Sequence, residues 1–200
     1  VSGLNFAQYL QENIFGPLKL NSMGFGVKPK DNKSFTTLYT SGLFSRDGEI
    51  IGAAGINPAD LMFSKELRQI DPYLKSPYQI NTSQLYDGGS GLVSNIDDYA
   101  QFALMLMNKG DLNGVRILSE SSVELMSRNH LSDSVLADGA AFGLDGVGFG
   151  LTMAVVEDAG RAGTYSTDGE FSWGGAASTT FWGDPVNQVT AVMTTQFMPS

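Results

Sequence analysis

Apolar residues recur at helical spacing in several stretches of the chain. After Asn5, residues Phe6, Tyr9, Leu10 and Ile14 fall on one face. Asn5 can cap the free amides of that helix, Gln8 stands at the capping-box position three residues on, and Gly16-Pro17 stops it. The clearest pattern is Ile96, Tyr99, Ala100, Ala103, Leu106 and Met107, opened by Ser94 with Asp97 and closed by a left-handed stop at Gly110. Asn113-Gly114 predicts a turn, and Ser119 caps a shorter helix through about Arg128. After a loop rich in Gly, Ala and Asp the period changes. Phe149 to Val156, Phe171 to Trp182 and Gln188 to Gln196 read as strands, the last two joined at Asp184-Pro185-Val186-Asn187. Residues 21–85 are weakly periodic and broken by Pro29, Pro58, Pro72 and Pro77, so only short helices are expected there, the best over 58–69. A loop-rich stretch of that length is usually functional, a lid or a pocket wall.

Helices first and adjacent strands last predict an α+β fold, an antiparallel sheet flanked by helices. A chain of 200 residues allows one domain of ordinary size, or one and a piece of a second. Within it, 1–85 reads as a helical and loop-rich pocket wall, 86–130 as helices and 142–200 as antiparallel strands. The 24 glycines suit many turns. The net charge of −9 repels a phosphate backbone, which argues against nucleic acid as a partner. No apolar run approaches the roughly 18 residues of a membrane span. Without cysteine, disulfides, thiolate chemistry and Cys-ligated metals are excluded. The opening Val1-Ser2-Gly3-Leu4, with no initiator Met, and the close directly after a strand-like run lead us to expect a piece of a longer protein.

Common catalytic signatures fail in turn. Gly-x-Ser-x-Gly, the phosphate loop and His-Glu-x-x-His are absent. A Ser-His-Asp triad needs the single histidine, His130, which reads as a surface or packing residue. Asp97-Asp98 and Glu157-Asp158 read as helix caps and solvated charge rather than a glycosidase pair. The sequons at Asn32 and Asn81 arise easily by chance. Asp87-Gly88-Gly89-Ser90-Gly91-Leu92-Val93-Ser94 reads as a turn feeding a capped helix. Phe171-Ser172-Trp173-Gly174-Gly175-Ala176-Ala177-Ser178-Thr179 is unusual, because glycine weakens a strand unless something approaches its backbone closely. A ligand bonded along that edge is one explanation, a bulge or tight sheet packing the other.

Taken in order, these segments resemble serine β-lactamase-like hydrolases, that is, class C β-lactamases and the related esterases of penicillin-binding-protein fold. Val1 to Leu10 with Ile14-Phe15-Gly16-Pro17-Leu18 is similar to their helix and Pro-Leu turn. Asp87 to Ser94 with Asp97-Asp98-Tyr99-Ala100 resembles their Gly-Gly-Leu-x-Ser segment and the helix after it, and Leu112 to Ser119 fits the following stretch. Trp173-Gly174-Gly175-Ala176 and Phe181-Trp182-Gly183-Asp184-Pro185 resemble their third active-site motif and its hairpin. The resemblance covers most of the chain and is weakest over 25–80.

It implies acyl transfer, with a Ser in Ser-x-x-Lys attacking a carbonyl while Lys and a Tyr move protons. It implies no cofactor and no metal. Trp173, Gly174 and Gly175 would stand at the third motif, the Ala176 N–H would be an oxyanion donor, and Trp173 with Phe171 would touch substrate. The sequence departs from the pattern in having no Ser-x-x-Lys and no Tyr followed two residues later by Asn. The expected partner is therefore an N-terminal segment of the same protein carrying those groups, and these 200 residues alone are expected to be inert. Trp173 replaces the lysine with which β-lactamases hold a substrate carboxylate, which favours an uncharged ester or amide. Carboxylesterase is the expected activity. The alternatives are a class C-like β-lactamase or D-amino-acid peptidase, and a non-catalytic binding relative of the same fold.

Overall fold

The computed structural model describes residues 2–40, 67–71, 86, 88–89, 91–140 and 144–198. Helix α1, Phe6–Leu10, runs into a π-turn at Gln11–Phe15. The Asn5 side chain accepts from Gln8 N–H at 2.9 Å, but the Gln8 amide reaches forward to Glu12 (2.8 Å) and the return half of a capping box is not made. Gly16 N–H closes the π-turn on the Gln11 carbonyl at 2.8 Å, an approach that a Cβ at Gly16 would obstruct.

Helix α2, Ile96–Met107, is the longest described helix, and three of its residues, Ala103, Met105 and Leu106, are buried. Its N-cap is Asn95, which accepts from Asp98 N–H at 2.8 Å, one residue after the expected Ser94. It ends through left-handed Lys109 and Gly110, as the glycine predicts. Asn113 and Gly114, both at positive φ, close the hairpin of β3, Asp111–Leu112, and β4, Val115–Arg116. Ser119 accepts from Ser122 N–H and caps α3, Glu120–Met126.

The strand region divides more finely than expected. Phe149 to Val156 is not one strand but parts of two, β5, Val147–Phe149, and β6, Ala154–Val156, with Gly150 N–H bonded to Met153 C=O at 2.8 Å. Phe171 to Trp182 likewise folds back, as β7, Phe171–Gly175, and β8, Thr179–Asp184. Unbroken small and apolar residues conceal both turns from periodicity. With β9, Val189–Met193, they form an antiparallel sheet in the order β5-β6-β7-β8-β9. The Gly/Ala/Asp-rich loop contains helix α4, Asp133–Ala140, whose described side chains are mostly exposed, so no apolar face announced it. The Asp158 side chain caps a short α5, Ala159–Ala162.

Of the weakly periodic region, Pro29–Ser34 is a 3-10 turn. Strand β1, Leu38–Thr40, pairs antiparallel with β2, Arg68–Asp71, and parallel with β10, Phe197–Met198. The helix expected over 58–69 lies mostly outside the described residues, and its last two positions, Arg68 and Gln69, belong to β2. Asp87 and Ser90 of the glycine-rich turn also lie outside them.

Helix α2 packs on β8 and β9, and the core joins Met105 and Leu106 to Val155, Phe171 and Phe181. Each buried ring contributes about 1.5–3 kcal/mol. Gly183 permits the close approach, since a Cβ there would lie 2.5 Å from Met107 Sδ and 2.7 Å from the Phe171 ring. The architecture is α+β, with helices packed against an antiparallel sheet.

Candidate active site

Strand β7 has different neighbours along its length. Phe171 and Ser172 pair with Val155 and Ala154 of β6 on one side and with Gly183 and Trp182 of β8 on the other. Beyond Ser172 only β8 continues, pairing Trp173 with Phe181, Gly174 with Thr180 and Gly175 with Thr179. Among the described residues no strand covers the other edge of Trp173–Gly175, so alternate amides and carbonyls of that segment face an open edge.

The turn beyond it is well tied. Ala176, Ala177 and Ser178 connect β7 to β8, with Ser178 left-handed at φ 56°, as a three-residue hairpin loop requires. Ser178 Oγ donates to Phe197 C=O at 2.9 Å. Ala177 C=O accepts from Phe197 N–H at 3.2 Å and from Thr195 Oγ1 at 2.8 Å. Ala177 C=O and Ser178 Oγ are thereby tied to Thr195 and Phe197, and Ala176 stands exposed at the start of the turn. A groove of about 450 Å³ adjoins it, bounded by Gly174, Gly175, Ala176, Thr180 and Met193. None of these side chains is charged.

Trp173 is 52 % exposed, and its indole meets the Phe149 ring edge-on, with centroids 5.1 Å apart and planes at 76°. The structure therefore brings Trp173, Gly174, Gly175 and Ala176 together on one free strand edge and turn. Phe171 does not join them. It is 3 % exposed, in the core cluster against Phe181, and is a core residue rather than a substrate contact. Two residues along β7 the side chains pass from buried to exposed, because the core cluster includes Phe171 and not Trp173. Phe149 was not expected at this edge. Its only signal in the sequence is aromatic character, since the contact depends on how β5 is placed.

His130 is exposed, its ring bonded to the Leu125 carbonyl and its N–H to Phe149 C=O, a packing role. The carboxylate pairs also serve structure. Asp98 binds Ser22, and Asp158 caps α5. No group of three or more potential metal ligands occurs among the described residues. A second cavity, about 400 Å³, lies at the far end of β8 beside Glu170, Trp182 and Asp184. Asp184 is 5 % exposed. Burial works against its charge, but bonds from Asn187 N–H and Nδ2, Thr167 Oγ1 and Val186 N–H prevail and hold its pKa below the ordinary 3.8. Glu170 is raised above the ordinary 4.5 by burial first and by the Asp184 charge second. This cavity adjoins the Asp184 turn, away from the open edge of β7, so the β7 edge is the candidate for chemistry.

An antiparallel sheet with helices packed against it and a glycine-lined strand edge left free is the arrangement of the serine β-lactamase and penicillin-binding-protein fold. The family model described as beta-lactamase matches residues 1–200, and the chain belongs to that family. It is 29 % identical over 184 residues to protein Rv1367c of Mycobacterium tuberculosis, a match covering 89 % of this chain and 40 % of that protein. Among solved structures, "EstCE1, a hydrolase with promiscuous acyltransferase activity" superposes with a TM-score of 0.68 at 25 % identity, covering 98 % of this chain and 47 % of that one. Simvastatin synthase (LovD) of Aspergillus terreus, at 20 % identity, shares the fold with a TM-score of 0.71, covering 99 % of this chain and 46 % of that one. The chain thus spans less than half the length of each of these proteins. Among the described residues no helix is long and apolar enough to cross a membrane.

Proposed function

We propose that these residues form one wall of the active site of a serine carboxylesterase, and that the acyl-accepting serine with its lysine and tyrosine lies in a further, N-terminal segment of the same protein. The observation that carries this reading is the free edge of Trp173-Gly174-Gly175-Ala176, which is uncharged, glycine-lined and held by a fixed turn. A carbonyl lying along that edge is met by main-chain donors, and Ala176 N–H is our candidate for one of the two that stabilise the tetrahedral oxyanion. Gly174 and Gly175 leave room for that approach. Trp173 offers an apolar face where a lysine would attract a carboxylate, which suits a neutral ester. Similarity to EstCE1, named as a hydrolase, points the same way.

The full-length protein is to be treated with a fluorophosphonate and assayed on p-nitrophenyl esters. A covalent adduct on a serine of a Ser-x-x-Lys sequence, with ester turnover lost in step, is the expected result. Absence of labelling and turnover identifies a binding relative instead, and turnover of β-lactams without esters overturns the choice of substrate.

A further inference from the structure

We propose that Phe149 is a positioning and specificity-determining residue of this site, holding the Trp173 indole as an apolar wall that selects esters with an extended hydrocarbon acyl group over acetyl esters. The inference rests on the reading above and adds a residue and a substrate class to it.

Phe149 is fixed from several sides. Its N–H donates to Asn129 Oδ1 at 3.1 Å, and its C=O accepts from His130 N–H at 2.9 Å. Asn129 Oδ1 also accepts from Leu131 N–H at 2.9 Å, so one side-chain oxygen ties β5 to the segment before α4. The glycines on either side allow this close seating. A Cβ at Gly148 would lie 2.5 Å from the Asn129 side chain, and one at Gly150 would lie 1.8 Å from the Met126 carbonyl oxygen. From this anchored backbone the ring reaches Trp173 just beyond the Ala154–Ser172 pair, where β6 stops. A half-exposed indole has several rotamers open to it, and an edge-on neighbour at 5.1 Å favours one. With its orientation held, the indole presents a defined apolar face beside Gly174. A long acyl chain gains contact with that face, whereas acetyl is too short to use it.

The test is made in the full-length protein with p-nitrophenyl acetate, butanoate and hexanoate. Phe149→Leu is expected to lower the hexanoate-to-acetate ratio of kcat/KM by about three- to tenfold, the size of an aromatic pair, through KM on hexanoate with little change on acetate. Phe149→Tyr keeps the ratio, and Asn129→Ala lowers it without altering either ring. The near-UV circular dichroism band assigned to this indole by difference with Trp173→Phe should weaken in Phe149→Leu and persist in Phe149→Tyr. An unchanged ratio in Phe149→Leu overturns the inference, as does a loss that Phe149→Tyr shares. A wild type that hydrolyses none of the esters removes the esterase reading and the specificity with it. The dichroism band then still decides whether Phe149 holds the indole.

Discussion

The carboxylate of Asp98 accepts both the backbone N–H of Ser22, at 2.6 Å, and its hydroxyl, at 2.7 Å, across 76 residues of sequence. Ser22 Oγ in turn accepts from Asn95 N–H at 3.0 Å, so the segment that follows the π-turn is locked onto the start of α2. Beside it Gly24 and Val93 exchange a pair of backbone bonds. Asp98→Ala removes the acceptor for two part-buried donors and is expected to cost about 1–3 kcal/mol in denaturant unfolding. Amide exchange at Gly24 and Val93 should accelerate with it. Ser22→Ala combined with Asp98→Ala should be clearly less than additive, because the two residues share bonds.

Gly150→Ala should be among the most damaging small substitutions. The added Cβ meets the Met126 carbonyl oxygen at 1.8 Å, and that carbonyl is itself held by Leu151 N–H at 3.1 Å. Backbone on both sides prevents easy relief, so a loss of about 1–3 kcal/mol or more is expected. Gly163→Ala is the contrast, since a Cβ there meets nothing within 4 Å and only its φ of 66° opposes it. Thermal melts of the two variants measure the difference.

These cases show what was legible in advance. Caps and left-handed stops are local chemistry, and Asn5, Ser119, Gly110 and Asn113-Gly114 do in the structure what their side chains or lack of them require. The edge segment at 173–176 was legible because glycine inside a strand pattern has few uses. The turns at Gly150 and at Ala176–Ser178 were not, because each lies inside an unbroken run of small and apolar residues. Phe171 and Trp173 share a strand face and differ in whether the core packed on that face reaches them, which no local pattern records. The Phe149 contact and the Asp98–Ser22 bond are products of tertiary placement and leave no local signal.

Asp184 and Glu170 give opposite pH dependences. The folded-state pKa of Asp184 is lowered, so its stabilising effect is complete above the unfolded value of 3.8 and is lost as pH falls through the lower folded value. Glu170 is raised, so its charge opposes folding; that cost is absent below the unfolded value of 4.5 and complete above the raised folded one. Glu170→Gln should therefore stabilise the protein at pH 7 and leave it unchanged below pH 4. Asp184→Asn should flatten the acid limb and draw the Glu170 pKa downward, a change that NMR titration of the Glu170 carboxyl detects. Asp184→Ala, which leaves the Val186 and Asn187 amides without their acceptor, is expected to cost about 1–3 kcal/mol at neutral pH.

Ala176→Pro isolates the proposed oxyanion donor. Ala176 begins a three-residue hairpin turn whose last residue, Ser178, is left-handed, and the first position of such a turn takes φ near that of proline. The substitution thus deletes one N–H with little demand on the backbone. In the full-length protein kcat on a p-nitrophenyl ester should fall by about 10²–10³ with the melting temperature nearly unchanged. A variant that keeps wild-type kcat shows that the oxyanion is held elsewhere.

Trp173→Lys tests the choice of substrate. The side chain is half exposed and pairs with Phe181 at a register position open on one edge, so a long polar side chain fits without entering the core. The change exchanges an exposed apolar side chain for a cation on the strand edge, next to Gly174. Neutral esters should then lose kcat/KM, by about threefold to tenfold, from the aromatic contact removed. Esters carrying a free carboxylate should gain, and the gain should shrink as salt is raised, because an exposed charge pair is screened within a Debye length of about 8 Å at physiological ionic strength. If neutral and anionic esters instead respond equally, position 173 acts only on folding or on chemistry common to both, and the indole does not select for charge.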